Sequence, residues 1–288
     1  MFGKLVKHEF RATARIIPFV YLVTIFLAIV HIIMTKLHFD AASKISLALM
    51  IMMCVAQVVV ASALVVWRYY KNMYSNESYL THTLPVKPSL LLWSKLLVGF
   101  IWTLCSFLIG IAVSAVVLIT EFMKSADQLA EISKGYHSLL LLFGLQNQEA
   151  VLWIIVIAWM IVMYVMFLAE AYFAITVGSL SKMHSLGIGG PILVYFAEYI
   201  ALQVVGTLTI LFFPLGLEMS TTADGALGGF KLVTQNMFSS LSETINTSGA
   251  AGADSGIIGI GYYILIPFIA VGLLCWTAHI IKKHTSVK

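Results

Sequence analysis

The stretch Ser75–Leu97, SNESYLTHTLPVKPSLLLWSKLL, is a short polar segment held between two long apolar runs. Ser75 or Asn76 is suited to cap a short helix that opens with Glu77. The capping side chain satisfies an orphan amide, and a carboxylate is favoured at a helix N-terminus. Pro85 disfavours helical geometry at Leu84, so the helix is held to about two turns. Pro88 and Ser89 then launch the next apolar run. The expected element is a stubby helix parallel to a membrane, exposing Tyr79, Leu80 and Leu84. A solvated turn is the plainer reading, but apolar and aromatic residues on a protruding helix favour a partner. Just upstream, Trp67, Tyr69 and Tyr70 mark a membrane–water boundary, where aromatic residues accumulate.

The rest of the chain supplies that membrane. Of 288 residues, 60% are hydrophobic and only 10% charged, with mean hydropathy +0.97. Soluble domains carry roughly a quarter charged residues. Six apolar runs pass the roughly 18-residue length of a spanning helix: Ile16–Thr35, Ile45–Trp67, Leu90–Thr120, Val151–Leu180, Ile192–Phe213 and Ile257–Ile281. Helix is the expected state of each, since an isolated span must satisfy its own backbone hydrogen bonds. The third and fourth runs exceed what a bilayer needs, so each tilts or projects into water. Pro191 and Pro214 fit the two ends of the fifth span. The expectation is an all-α integral membrane protein forming one domain over residues 1–288, with no soluble domain.

Orientation follows from the basic residues. With the N-terminus inside, the inner segments hold Lys4, Lys7, Arg11, Arg15, Arg68, Lys71, Lys87, Lys95, Lys182, Lys282, Lys283 and Lys288. The outer segments hold Lys36, Lys44, Lys124, Lys134 and Lys231, so the split is 12 to 5. Both termini are therefore expected on the cytoplasmic side. The formal net charge of +4 is this inner-face skew and gives no support to nucleic-acid binding. The first apolar run is too long for a signal-peptide core and is expected to be retained.

Residues 1–15 read as an amphipathic helix lying in the inner interface. Lys4, His8, Arg11 and Arg15 share one face, toward anionic headgroups; Phe2, Leu5, Val6 and Phe10 share the other, toward lipid. It serves as an anchor and, in a fuller reading, also as a contact for a cytoplasmic partner. The outer connections are Lys36–Lys44, Glu121–Ala150 and Pro214–Gly256. In the second, Ser125 to Gln128 has capping-box form, Gly135 is a candidate helix stop, and Leu139–Phe143 is an apolar patch too short to span. The third, rich in Ser, Thr, Gly and Ala, shows no strong periodicity.

No P-loop, HExxH, GxSxG or Cys-x-x-Cys pattern occurs, and the eight histidines are scattered. No catalytic constellation and no metal-ligand spacing is visible, so the chain itself is not expected to be an enzyme or to carry a cofactor. Cys54, Cys105 and Cys275 lie within spans and act as small apolar residues. Two carboxylates, Glu170 and Glu198, fall inside spans four and five at matching depth. Each is protonated, paired, or facing a wet cavity; a substrate contact or proton relay and a merely structural hydrogen bond remain alternatives. Gln57 and His31 are weaker candidates, better suited to bonding between helices.

The N-terminal MFGKLVKHEFRATAR and the pattern Asn76-Glu77-Ser78-Tyr79-Leu80, Thr83-Leu84-Pro85-Val86, Ser94-Lys95-Leu96-Leu97 between spans two and three resemble the permease subunit of bacterial type 2 ABC exporters. The specific residues lie in the first ~100 positions; the second half agrees by topology. The resemblance implies two permeases, identical or related, paired with two ATPase subunits that bind ATP and Mg. Glu77, Tyr79, Leu80 and Leu84 would form the coupling helix seated in the ATPase. Lys182, Met183 and His184 would be a smaller second contact. The location implied is the bacterial cytoplasmic membrane, and the cargo amphipathic or hydrophobic: a peptide, drug or lipid. The competing readings are a proton-coupled secondary transporter using Glu170 and Glu198, and a non-transporting sensor or immunity component.

Overall fold

The structure is a computed structural model that describes residues 2–75, 78, 83, 86–122, 133–138, 140, 143, 149–180, 183–221, 227–247 and 255–284. Six of its helices are long and apolar enough to cross a membrane. They follow a short helix α1 (Phe2–Thr13): α2 (Ile17–Lys36), α3 (Asp40–Tyr74), α4 (Pro88–Phe122), α5 (Glu149–Gly178), α6 (Gly189–Phe212) and, after a short helix α7 (Met237–Thr247), α8 (Gly261–His284). Each apolar run of the sequence holds one long helix, the sixth beginning a few residues into its run. The chain falls into two compact units, residues 1–130 with 277–288, and residues 131–276.

In the first unit, α2, α3 and α4 pack together. Ile17, Tyr21, Ala61, Val98 and Trp102 form one buried cluster, and Ala28, Met50, Val113 and Val117 another. Lipid tails are as apolar as these side chains, so close packing and interhelical hydrogen bonds must hold such helices together. Tyr21 donates to the Trp102 carbonyl at 2.8 Å and lies 2.8 Å from Ser106 Oγ. Gln57 Nε2 donates to the Ser106 carbonyl at 3.0 Å. Nearer the α2–α3 turn, His31 Nδ1 meets Ser46 Oγ at 3.0 Å and Thr35 meets Ser43 at 2.9 Å. The turn itself is closed by Phe39 N–H bonding Met34 O and His38 N–H bonding Thr35 O, both at 3.2 Å. His38 takes φ +57° there, the left-handed position that usually falls to glycine.

α3 runs to Tyr74, beyond the Trp67 at which its apolar run ends. The added turns are helical because Tyr69 and Met73, at 0% and 1% exposure, are packed rather than solvated. With 35 residues, α3 is about 52 Å long, well past a hydrocarbon core of about 30 Å.

In the second unit, α5 and α6 form an antiparallel pair joined through a short 3₁₀ turn, His184–Leu186. The approach at the turn is very close: a Cβ on Gly178 would collide with the backbone of Gly190 and Pro191, and one on Gly190 with the Gly178 carbonyl. The first part of α8 adds ring contacts, Trp159 to Tyr263 at 5.6 Å and Phe173 to Trp276 at 5.1 Å.

Three details depart from the sequence reading. The 214–256 connection is not aperiodic loop but holds a small antiparallel sheet ordered β2-β1-β3, from β1 (Gly216–Thr221), β2 (Leu227–Val233) and β3 (Ser255–Gly259). The fold is thus mostly helical rather than wholly so. β1 is central, placing Glu218 opposite both Lys231 and Ile257; strands this short and Gly-rich show little alternation. The sixth span begins at Gly261, because residues 257–259 belong to β3, where a Cβ on Gly259 would strike the Ile210 carbonyl. Gly135 is not a stop: residues 133–138 are helical through it. The Ser125–Gln128 capping box lies outside the described residues, as does most of 139–143.

Candidate functional site

α1 carries two faces, as its spacing dictates. Lys4, His8, Arg11 and, just beyond its end, Arg15 are all exposed. The opposite stripe is Val6, Glu9, Phe10 and Thr13, at i, i+3, i+4 and i+7. Of the apolar face expected to meet lipid, Val6 and Phe10 touch protein, while Phe2 and part of Phe10 stay exposed. Val6 packs on the cluster around Trp102, and Phe10 stacks on the Trp102 ring at 4.6 Å with planes 11° apart. Trp102 Nε1 donates to Thr13 Oγ1 at 2.6 Å.

Between these contacts sits Glu9. Arg68 Nε donates to its Oε2 at 2.8 Å, Asn72 Nδ2 approaches Oε1 at 3.4 Å, and Lys95 Nζ bonds Oε1. The Lys95 side chain is 5% exposed and that of Glu9 13%. One carboxylate thereby joins α1 to the last turns of α3 and the first turns of α4. Burial, the largest single influence, pushes the Glu9 carboxyl upward. The charges and hydrogen bonds of Lys95 and Arg68 together outweigh it and hold the carboxyl below its ordinary 4.5. A depressed acid stabilises the fold above its unfolded value and ceases to do so as pH falls through the folded one. The α1 contact is therefore expected to be complete above pH 4.5 and to loosen on acidification below it, read as faster amide exchange in α1. Glu9→Gln should remove that dependence.

The node borders the segment that opened the sequence reading. Arg68 and Asn72 lie just before Ser75, and Lys95 just after Pro88. Ser78 N–H bonds the Ser75 carbonyl at 2.8 Å, and Leu90 N–H bonds that of Lys87 at 2.9 Å. Glu77, Tyr79, Leu80, Leu84 and Lys182 lie outside the described residues. Met183 sits in the α5–α6 turn, its N–H on the Leu180 carbonyl at 2.9 Å, and His184 opens the 3₁₀ segment.

In the second unit, Glu170 on α5 and Glu198 on α6 are close enough to interact electrostatically, with Tyr195 and Tyr262 in the same neighbourhood. Counted from the turn, they stand about 12 and about 14 Å along their helices. Both Glu198 oxygens are buried and have no hydrogen-bond partner among the described residues, so the structural tie to a neighbouring hydroxyl is not formed there. Gln57 is wholly buried and is such a tie, through Nε2 to Ser106. His31 bonds Ser46 in the same manner.

Sequence reasoning missed Glu9. Its signal was present: it is the sole acid of α1, in register with Val6, Phe10 and Thr13. Among the described residues no group of three His, Cys, Asp or Glu is placed to hold a metal ion. Comparison of the chain with protein-family profiles, with curated proteins and with solved structures gave no match.

Proposed function

We propose that the chain is the membrane-spanning permease subunit of an ATP-driven ABC exporter, working with two separately made ATPase subunits and a second permease copy or relative. The observation that supports this reading most is the Glu9 node. It fastens the cationic helix α1 to the two helices that flank the Glu77–Leu84 segment. A push on that segment, from an ATPase binding ATP and Mg, enters α3 and α4 together, since α1 braces both near the point of entry. Rigid-body rocking of packed helices then alternates access to the translocation path. The termini and the segment face the bacterial cytoplasm, as the 12-to-5 distribution of Lys and Arg favours. The apolar spans suit an amphipathic or hydrophobic cargo.

Leu80→Asp and Glu77→Arg test the coupling role. Each is expected to leave folding and membrane insertion intact while reducing ATP-dependent transport at least tenfold in proteoliposomes. Normal transport by both variants would remove the coupling assignment.

The carboxylate pair favours a second reading, a proton-coupled transporter. An acid inside a span, beside another acid and with no hydrogen-bond partner among the described residues, is a candidate proton-relay group. Transport driven by a pH gradient without ATP, and abolished by Glu170→Gln or Glu198→Gln, would select it.

A further inference from the structure

The connection between α6 and α8 carries a helix whose sidedness is inverted. Among the described side chains of α7, Phe238 and Leu241 are 50% and 47% exposed. They stand at i and i+3, neighbours on one stripe of the helix. Met237, Ser239, Ser240 and Ser242 are more enclosed. A helix bathed in water turns its apolar stripe inward and its polar residues out. The helix is nonetheless well formed: Asn236 caps it, its Oδ1 accepting from Ser239 N–H at 3.1 Å. The Ser239 and Ser242 hydroxyls donate to the carbonyls of Asn236 and Ser239 at 2.9 and 2.8 Å, so neither depends on water for a hydrogen bond.

The level of α7 is set by α6. With 24 residues, α6 is about 36 Å long against a hydrocarbon core of about 30 Å. Phe212, its last residue, therefore falls at the edge of that core. The Phe238 ring lies 5.2 Å from the Phe212 ring, and both are half exposed. Leu208 and Phe212, exposed one turn apart on α6, thus lead directly onto Phe238 and Leu241. Trp153 near the start of α5 and Tyr263 near the start of α8 are exposed as well, an aromatic belt at the same end of the helices. The chain is also drawn back to this level after α7. Ile260 N–H bonds the Leu215 carbonyl at 3.2 Å, and Gly261 packs on the Phe213 ring.

We propose that α7 is an interfacial helix, lying in the bilayer boundary at this end of the spans with Phe238 and Leu241 seated among acyl chains. The partner is a lipid surface because the exposed stripe continues the lipid-facing surface of α6 without a break. Neither Phe238 nor Leu241 offers a charge or a hydrogen-bonding group by which a protein could be selected. Interfacial helices sink their apolar side about 5–10 Å into the headgroup and acyl boundary. A stripe of two large residues suffices here because α7 is tethered between two spans and need not find the membrane from solution. The inference rests on the membrane-spanning helices and is independent of the permease reading, so its test involves neither ATP nor transport.

The full chain, with Cys54, Cys105 and Cys275 replaced by alanine, carries a nitroxide label at Leu241→Cys and is reconstituted in liposomes of phosphatidylethanolamine and phosphatidylglycerol. Power-saturation measurements then compare collision with oxygen, which concentrates in the bilayer, and with a water-soluble nickel chelate. The expected result is a label severalfold more accessible to oxygen than to nickel, with Phe238→Cys giving the same result from the neighbouring turn. A label at Lys231→Cys, exposed on β2, should show the reverse. Nickel accessibility at positions 238 and 241 equal to that at 231 would place the stripe in water and overturn the proposal. Exclusion of both reagents would overturn it as well, since the stripe would then be covered by protein, a second copy or another chain.

Discussion

Glu9→Gln is expected to destabilise the chain by about 3–5 kcal/mol, the usual result of breaking a buried ion pair by removing one partner. The cost comes less from the lost attraction than from what remains. Lys95 is almost fully enclosed, whereas Arg68 is partly wetted, so one cation would stay buried and a second half-buried without their anion. The double variant Glu9→Gln/Lys95→Met should recover much of the loss, because a thioether of similar length needs no counter-charge. Unfolding midpoints of the single and double variants in detergent check this directly. Recovery in the double variant would show that the single change acts through the uncompensated Lys95. A Glu9→Gln midpoint equal to that of the parent would mean that α1 is held by Phe10, Thr13 and Trp102 alone.

Gly178→Ala is the second large effect. A methyl group there has nowhere to go: it points into the Gly190 and Pro191 backbone, which cannot rotate aside as a side chain would. Overpacking of a close contact costs typically 1–3 kcal/mol, and the rigid neighbour places this case toward the upper end, about 3 kcal/mol. Gly272→Ala is the matched control. It lies inside α8 with nothing within 4 Å of the added carbon, and alanine exceeds glycine in helix preference by about 1 kcal/mol. The first variant should therefore unfold earlier than the parent and the second no earlier. Similar midpoints for both would mean that the α5–α6 turn yields under load.

Much of the helical scaffold is legible because a spanning helix has few alternatives. Apolar length alone located all six, and Pro191 and Pro214 marked the limits of α6 to within a few residues. What escaped detection depends on pairing rather than pattern. The 216–259 sheet is invisible in any one strand, since Gly216, Ser220 and Gly229 carry no alternation and the strands gain meaning only in register. α3 overran its apolar end because Tyr69 and Met73 found burial, which local hydropathy does not report. The site divides in the same way. The cationic face of α1 followed from spacing, and its residues are exposed. Glu9 did not, because its role is set by Arg68 and Lys95, residues 59 and 86 positions away. Glu170 and Glu198 were placed at equal depth by counting along their helices, and the structure brings them within electrostatic reach. No periodicity could have shown that the Glu198 oxygens lack hydrogen-bond partners among the described residues.

The most direct test of the permease reading is to purify the chain from its native membranes through an affinity tag and measure ATP hydrolysis in what comes with it. The account predicts a separate nucleotide-binding subunit, equal in amount to the tagged chain and catalytically active, that is lost when Leu80 is changed to Asp. A chain that purifies without such a subunit, and that moves cargo on a pH gradient alone, would contradict it.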